Sequence, residues 1–532
     1  LETRKPSDHF NFVRDVIHRW AADTPSATAL LWTDGSRDIV LSFAELTDRA
    51  ARVATVLSDA GVHRGDTVII LLNRELRWWE IMLGCIQLGA IPSPGTTQLS
   101  TDDIAYRVAA AGARLVIASP VCAPKVEKAG LSKDIARLLI DGVRPGWPAY
   151  EAAAEAAAPA TSVAETMADE DALCYFTSGT TGYPKMTIHR HDYPLGHCVT
   201  GARWLALRPG DLCWNLADTG WAKAAWSSLF APWLSGAAIL AHQTEGFDAC
   251  AALAILARLP VRTLCAPPTA YRMFLQEDLS RHKFAALRHC VAAGEPLGVN
   301  AVERWQAATG LTIRVGYGQT ETALICADLE GEPVRPGAMG RPVPGVRLAI
   351  VDDDGTELEP GVEGNVALEA TPRPAGLFKG YRGDPVRTAA TRRDNWYLTG
   401  DRAIQDEDGY LWFVGRSDDV ILSSGYRIGP FEVESALNSH DAVAESAVVS
   451  SPDPTRGEIV KAFVVLATGW MPSDALQSLL KEHVKAATAP YKYPRAITFV
   501  AELPKTVSGK ILRRQLRDME WTTANIDPEP GR

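Results

Sequence analysis

The chain has 532 residues, 46% hydrophobic and 22% charged, with a formal net charge of −10. That length exceeds what one core usually covers, so two or more domains are expected, in a composition ordinary for a soluble globular protein. The acidic balance excludes a general nucleic-acid binder, and any anionic ligand must be held by local basic groups.

Nine cysteines without a C-x-x-C pair fit buried thiols in a reducing compartment rather than a disulfide framework. His189, His191 and His197 lie close together, but no cysteine or acidic ligand accompanies them at finger-like spacing, so no metal site is expected there. Apolar runs such as 229–240 are broken by Pro232, Ser235 and Gly236, short of the ~20 residues a membrane span needs.

To about residue 170, helical and strand patterns alternate. Residues 43–61 read as an amphipathic helix ending in Gly61, 66–72 as a buried strand and 77–89 as a second helix. Ala90-Ile91-Pro92-Ser93-Pro94-Gly95 reads as a turn out of that helix. A helix over 101–111 and a strand over 115–118 continue the rhythm of a largely parallel sheet. The alanine-rich 151–158 reads as a solvated helical connector.

An apolar, strand-like run over 172–176 then leads into Thr177-Ser178-Gly179-Thr180-Thr181-Gly182-Tyr183-Pro184-Lys185. Glycines let a backbone turn sharply and expose its N–H groups, hydroxyls add donors, and the lysine supplies a point charge, so the loop suits a polyphosphate. It is not a GxxxxGK[ST] loop: Gly179 and Gly182 have the wrong separation, and Pro184 and Met186 flank the lysine.

Beyond it, strands over 237–241 and 263–266 alternate with helices such as 301–309, and Asp218-Thr219-Gly220-Trp221 reads as a loop tip. From 330 to 415 short strands divided by Gly, Pro and Asp predict a small β-rich subdomain or barrel. Arg416-Ser417-Asp418-Asp419 opens a last segment the size of a small domain.

Further stretches join the glycine-and-hydroxyl loop in a fixed order. They are Gly294-Glu295-Pro296, Gly316-Tyr317-Gly318-Gln319-Thr320-Glu321, Tyr397-Leu398-Thr399-Gly400-Asp401, Gly415-Arg416-Ser417-Asp418, Ser424-Gly425-Tyr426-Arg427 and Ser508-Gly509-Lys510. The set resembles the adenylate-forming superfamily of acyl-CoA synthetases, adenylation domains and firefly luciferase. Trp78-Trp79, Pro94-Gly95-Thr96-Thr97-Gln98, Asp218-Thr219-Gly220-Trp221 and Tyr491-Lys492-Tyr493-Pro494-Arg495 make it most similar to the medium-chain acyl-CoA synthetase group.

The resemblance implies an α/β fold. A large N-terminal adenylating domain (1–417, parallel sheets plus a small β-barrel) would carry a small mobile α+β C-terminal domain (418–532). It implies an ATP-dependent carboxylate–CoA ligase that forms acyl-AMP and pyrophosphate, then a thioester with coenzyme A. Alternatives are delivery to a carrier protein or an amine, or a non-catalytic acyl or nucleotide sensor.

In the roles it implies, Thr177 to Lys185 cradle the β- and γ-phosphates. Gly294, Glu295, Pro296 and Gly316 to Gln319 form the adenine slot, with Tyr317 stacking on the base. Thr320 contacts the α-phosphate, and Glu321 holds Mg²⁺, which needs only one or two protein carboxylates. Asp401 accepts both ribose hydroxyls, and Arg416 and Arg427 support ribose and phosphate.

The resemblance further implies that Lys510 is the principal catalytic residue of adenylation and that Asp418 is the hinge that exchanges Lys510 for the Ser424-Gly425-Tyr426 loop. A run of positive charge from 481 to 517 suits the phosphates of CoA, and the resemblance implies Lys485, Tyr493, Pro494, Arg495 and Arg456 as contacts, with Gln98 a further candidate. Trp221 is expected to wall the acyl pocket, which would favour medium-chain, branched or aromatic acids, and Lys223 to be structural. Acetylation of Lys510 is expected to stop adenylation. The chain is expected to be cytoplasmic, or matrix-located if a leader precedes Leu1, as a monomer or homodimer.

Overall fold

The computed structural model describes residues 8–177, 184–417, 419–423, 426–453, 456–489, 491–505 and 511–523. A nine-stranded sheet carries the main scaffold. Its order is Arg341–Pro342, Leu324–Ala327, Ile313–Gly318, His289–Ala293, Val261–Ala266, Leu212–Asn215, Ala238–His242, Thr28–Thr33, Asp38–Ser42. The strands from Ile313–Gly318 to Thr28–Thr33 are mutually parallel, and antiparallel strands border them on both sides.

A second sheet of four parallel strands, Ile91–Gly95, Thr67–Leu71, Ala113–Ala118 and Ala136–Leu139, stands beside it. One apolar cluster joins both sheets, bringing Leu30 and Ile239 together with Val68 and Ile117 through the helices Phe43–Asp59 and Arg77–Leu88. The first of these helices starts at a reciprocal capping box between Ser42 and Glu45, and the second ends on Gly89 at φ 76°, a left-handed position that suits glycine.

The segment read as a turn, 90–95, is in fact the fully buried strand Ile91–Gly95. Its prolines lack the N–H of a central strand, but among the described residues the strand lies at the sheet edge and pairs only with Thr67–Leu71, where such residues are tolerated. Asp218 to Trp221 form a turn as expected, yet not an exposed tip. Thr219 is 1% exposed, with its hydroxyl within 2.9 and 2.7 Å of the Leu72 and Asn73 carbonyls. A Cβ on Gly220 would lie 2.2 Å from the Thr96 nitrogen. None of the nine cysteines forms a disulfide; seven are buried, whereas Cys250 is exposed and Cys198 half-buried.

A three-stranded antiparallel sheet, Asp171–Thr177, Lys185–Arg190 and Gly380–Tyr381, brackets the glycine-and-hydroxyl loop. The β-rich segment forms an antiparallel sheet of Leu348–Val351, Glu363–Glu369, Arg392–Arg393, Trp396–Gln405 and Leu411–Arg416. The last segment builds its own sheet from Ile421–Ser423, Tyr426–Ile428, Val443–Asp453, Gly457–Leu466 and Ala496–Phe499. Helices Pro430–Asn438 and Asp474–Ala487 bury Val433, Leu437, Leu480 and Val484 against it, and Leu516 of helix Arg513–Thr523 packs in a separate cluster with Val449 and Phe463. Among the described residues no helix is long and apolar enough to cross a membrane.

Candidate active site

The predicted adenine slot lies where open α/β sheets bind ligands, past the carboxyl ends of parallel strands. Ala293 and Gly316 are register partners, so Gly294-Glu295-Pro296 and Gly316-Tyr317-Gly318 leave adjacent strands side by side. Gly294 and Pro296 are exposed, and Glu295 lies 3.6 Å from Arg272. Glycine is required at 316 and 318: a Cβ would meet the Trp204 ring at 2.6 Å in one and the Ala323 carbonyl at 2.3 Å in the other.

Across the slot stands Asp401, 4% exposed. Tyr317 donates to its Oδ2 at 2.5 Å, Gln319 Nε2 to the same oxygen at 2.7 Å, and Arg416 Nη1 to Oδ1 at 3.3 Å. Gln319 is itself fixed by the Thr399 carbonyl at 2.8 Å and by the Tyr397 hydroxyl, which donates to its Oε1 at 3.0 Å.

The next turn carries Thr320 and Glu321. His189 Nε2 donates to the Thr320 carbonyl at 2.7 Å, and burial pushes His189 down to about 3, so the ring is neutral with its proton on Nε2. Glu321 is 9% exposed, and its Oε1 accepts from the Tyr381 hydroxyl at 2.7 Å. Lys185 begins the strand that follows the glycine-and-hydroxyl stretch in the sequence. Its Nζ is 3.4 Å from the same hydroxyl and 4.8 Å from the Tyr381 ring centroid. Thr177, where the loop begins, has a buried hydroxyl with no described partner.

Among the predicted site residues, Ser178 to Tyr183, Asp418, Ser424, Gly425 and Lys510 lie outside the described residues. Tyr426 and Arg427 have a described backbone, paired with Ser423 and Leu422. On the two flanks of Lys510, Lys505 bridges to Ile511 and the Leu512 N–H reaches the Pro504 carbonyl at 2.8 Å. Arg513 then closes a two-pronged pair on Glu434, at 2.9 and 2.6 Å.

The structure gathers part of the expected CoA contact set. Lys485 Nζ lies 4.4 Å and the Arg495 guanidinium 5.0 Å from the Tyr493 ring centroid, and Arg495 donates to the Tyr493 hydroxyl at 2.9 Å. Pro494 is buried beside them, Arg456 sits at the 453–457 strand connection, and Gln98 is exposed on the N-terminal side.

The positive run is not the open patch its charge count suggested. Lys485 pairs with Glu482, Lys492 with Glu432, Lys505 with Glu445, Arg513 with Glu434 and Arg514 with Asp518. Near the turn at Asp218, Trp221 is half-buried, and Lys223 Nζ sits 4.4 Å from the Trp204 ring centroid and 3.3 Å from Cys265 Sγ.

Residues 17–382 match the AMP-binding enzyme family, and residues 432–510 match the AMP-binding enzyme C-terminal domain. The chain belongs to the AMP-binding enzyme family. It is 47% identical over 530 residues to "Acyl-coenzyme A synthetase ACSM3, mitochondrial" of Homo sapiens, covering 97% of this chain and 90% of that protein. "Acyl-coenzyme A synthetase ACSM5, mitochondrial" of Rattus norvegicus is 46% identical over 537 residues, covering 98% and 92%.

Among solved structures, the anthranilate CoA ligase AuaEII in complex with anthranoyl-AMP superposes with a TM-score of 0.91 at 31% identity, covering 98% of this chain and 99% of that one. A benzoate CoA ligase from Burkholderia xenovorans LB400 gives 0.85 at 30%, covering 96% and 100%.

Two parts of this AMP-binding enzyme's site were missed from sequence. Tyr381 and His189 each contact the Thr320–Glu321 turn from elsewhere in the chain. Tyr381 is a single tyrosine after a glycine, with no local pattern to single it out, and the spacing of His189 to His191 invited only a metal reading.

Proposed function

We propose that the protein is an ATP-dependent carboxylate–CoA ligase that activates a medium-chain, branched or aromatic acid as acyl-AMP and passes the acyl group to coenzyme A. The observation that carries this is a pair of linked contacts: Lys185 and Glu321 meet at the Tyr381 hydroxyl, and Tyr317 and Gln319, just before Glu321, both donate to Asp401. The full-length likeness to acyl-coenzyme A synthetases, and to ligases named for anthranilate and benzoate, supports it.

Attack of a carboxylate on the α-phosphate spreads negative charge over phosphate oxygens, so positioning and charge stabilisation do most of the catalysis. In this reading Lys185 serves the departing pyrophosphate, Thr320 the α-phosphate and Lys510 the attacking carboxylate. Glu321 holds Mg²⁺, which when bound neutralises phosphate charge. Asp401 already takes three donors, and because a carboxylate has about four acceptor positions, Oδ1 serves one ribose hydroxyl rather than two.

Trp221 bounds the acyl pocket. Asp418 is the pivot between an adenylating domain, 1–417, and a C-terminal domain, 418–532, that turns to bring coenzyme A in. Cysteines that form no disulfide suit a reducing aqueous compartment, cytoplasm or matrix.

The test is pyrophosphate release over acids of graded length, branching and aromaticity, with coenzyme A present, absent or replaced by a phosphopantetheinylated carrier. Acyl-AMP with every acceptor but thioester only with coenzyme A is expected. No acyl-AMP from any acid overturns the reading, and thioester on the carrier alone reassigns the acceptor.

A further inference from the structure

We propose that Tyr381 is a positioning residue that sets Glu321 for its divalent cation and Lys185 for the triphosphate. The two charged groups are 136 positions apart in the sequence numbering, yet one phenol touches both. Its hydroxyl has a single proton, and that proton goes to Glu321 Oε1 at 2.7 Å, so the carboxylate cannot rotate freely. No described hydrogen bond reaches Glu321 Oε2, which is thereby the oxygen turned to a cation. The face of the same ring lies 4.8 Å from the Lys185 ammonium, a cation–π distance that holds the lysine without neutralising it.

Tyr381 is itself fixed. It is 6% exposed, it packs edge-on against Phe378 at 5.0 Å, and its backbone N–H is held by the Thr388 hydroxyl at 2.9 Å. Gly380–Tyr381 pairs antiparallel with the strand that Lys185 begins, so the phenol and the lysine belong to one small sheet. The ring therefore acts as a spacer between Lys185 and the Thr320–Glu321 turn.

This inference rests on the ligase reading for the identity of the cation and nucleotide, and its test reads binding apart from turnover. ATP affinity of the full chain is measured by calorimetry across graded Mg²⁺ for wild type, Tyr381→Phe and Tyr381→Leu. The phenylalanine variant keeps the ring and loses the hydroxyl. It should bind ATP within about twofold of wild type without Mg²⁺, yet need roughly five- to tenfold more Mg²⁺ for half of the metal-dependent gain, as befits one hydrogen bond to a charged group. The leucine variant removes the ring as well and should weaken ATP binding even without metal. Identical Mg²⁺ dependence in wild type and Tyr381→Phe overturns the proposal. So does an equal loss with and without Mg²⁺, which would mark a purely structural role. Absence of acyl-AMP from wild type would refute the ligase reading and leave this binding result standing or falling by itself.

Discussion

Tyr317 and Asp401, 84 residues apart, meet through a 2.5 Å hydrogen bond that ties the end of a parallel strand in the main sheet to the central strand of the β-rich sheet. Gln319 donates to the same carboxylate oxygen, so two donors from one strand end depend on one acceptor. Asp401→Asn replaces one oxygen by an NH₂ group and leaves either that pair or Arg416 facing a donor. ATP affinity should weaken by about 10–100-fold, the loss of one or two hydrogen bonds to charge. Calorimetric titration with ATP checks this, and a change under twofold would remove Asp401 from the nucleotide site.

Glu434 anchors the chain just past Lys510. It is 4% exposed, receives both prongs of Arg513 and also accepts the Val448 N–H at 2.8 Å. Glu434→Ala strands a guanidinium and a buried N–H, at a cost of roughly 3 kcal/mol to the C-terminal domain. Adenylation should fall with it, because the segment that presents Lys510 loses its downstream fixing point. Lys510→Ala should slow adenylation by ~10²–10³, what one well-aimed donor contributes, and spare thioester formation from synthetic acyl-AMP. Stopped-flow rates of the two half-reactions separate the cases, and equal loss in both steps for Lys510→Ala with an intact fold would remove its assignment.

What was legible in sequence was what local chemistry dictates. The helix over 101–111 follows from its apolar spacing and its Ser100–Asp103 capping box, whereas the Gly316 to Glu321 run stood out only through its resemblance to the adenylate-forming superfamily. Residues acting across the fold were not legible. Tyr381 reaches Glu321 over 60 positions and Lys185 over 196, and neither separation leaves a period in the chain. Likewise, the charge count from 481 to 517 could not reveal that Glu432, Glu434 and Glu445, from earlier elements, fold back onto Lys492, Arg513 and Lys505. Pro92 and Pro94 read as a turn because sequence does not say which strand is an edge.

Asp328 gives the protein a specific pH response. It is 2% exposed, and burial pushes its carboxyl up from 3.8 to about 7 despite the Val315 N–H. Between those values the native state holds a proton that the unfolded chain has lost, so this group's contribution falls as pH rises from about 4 to about 7 and is flat beyond. His189 and His197, held near 3 by burial, act oppositely and lose stability as pH falls below 6.5. Asp328→Asn removes only the first effect. Its denaturation midpoint relative to wild type should improve between pH 5 and pH 7.5, by about 2 kcal/mol in stability. A difference that stays constant with pH would show that Asp328 is ionised in the native protein.

Arg495 and Lys485 share the Tyr493 ring, but they are unequally available to an anion. Lys485 has Glu482 at 2.5 Å in an exposed pair, whereas Arg495 is held by the Tyr493 ring and hydroxyl and has no acidic partner among the described residues. A guanidinium also offers a two-pronged fit to phosphate that an ammonium lacks. Arg495→Ala should therefore raise the KM for coenzyme A by about tenfold with pyrophosphate release in its absence unchanged, and Lys485→Ala by no more than about threefold. The gap between the two variants should narrow as salt is raised, since an exposed charge–phosphate attraction is screened within about 10 Å at 0.1 M. Thioester formation followed against coenzyme A concentration at low and high salt measures both effects. Equal KM values for Arg495→Ala and wild type would move the coenzyme A phosphates away from this ring and toward the connection that carries Arg456.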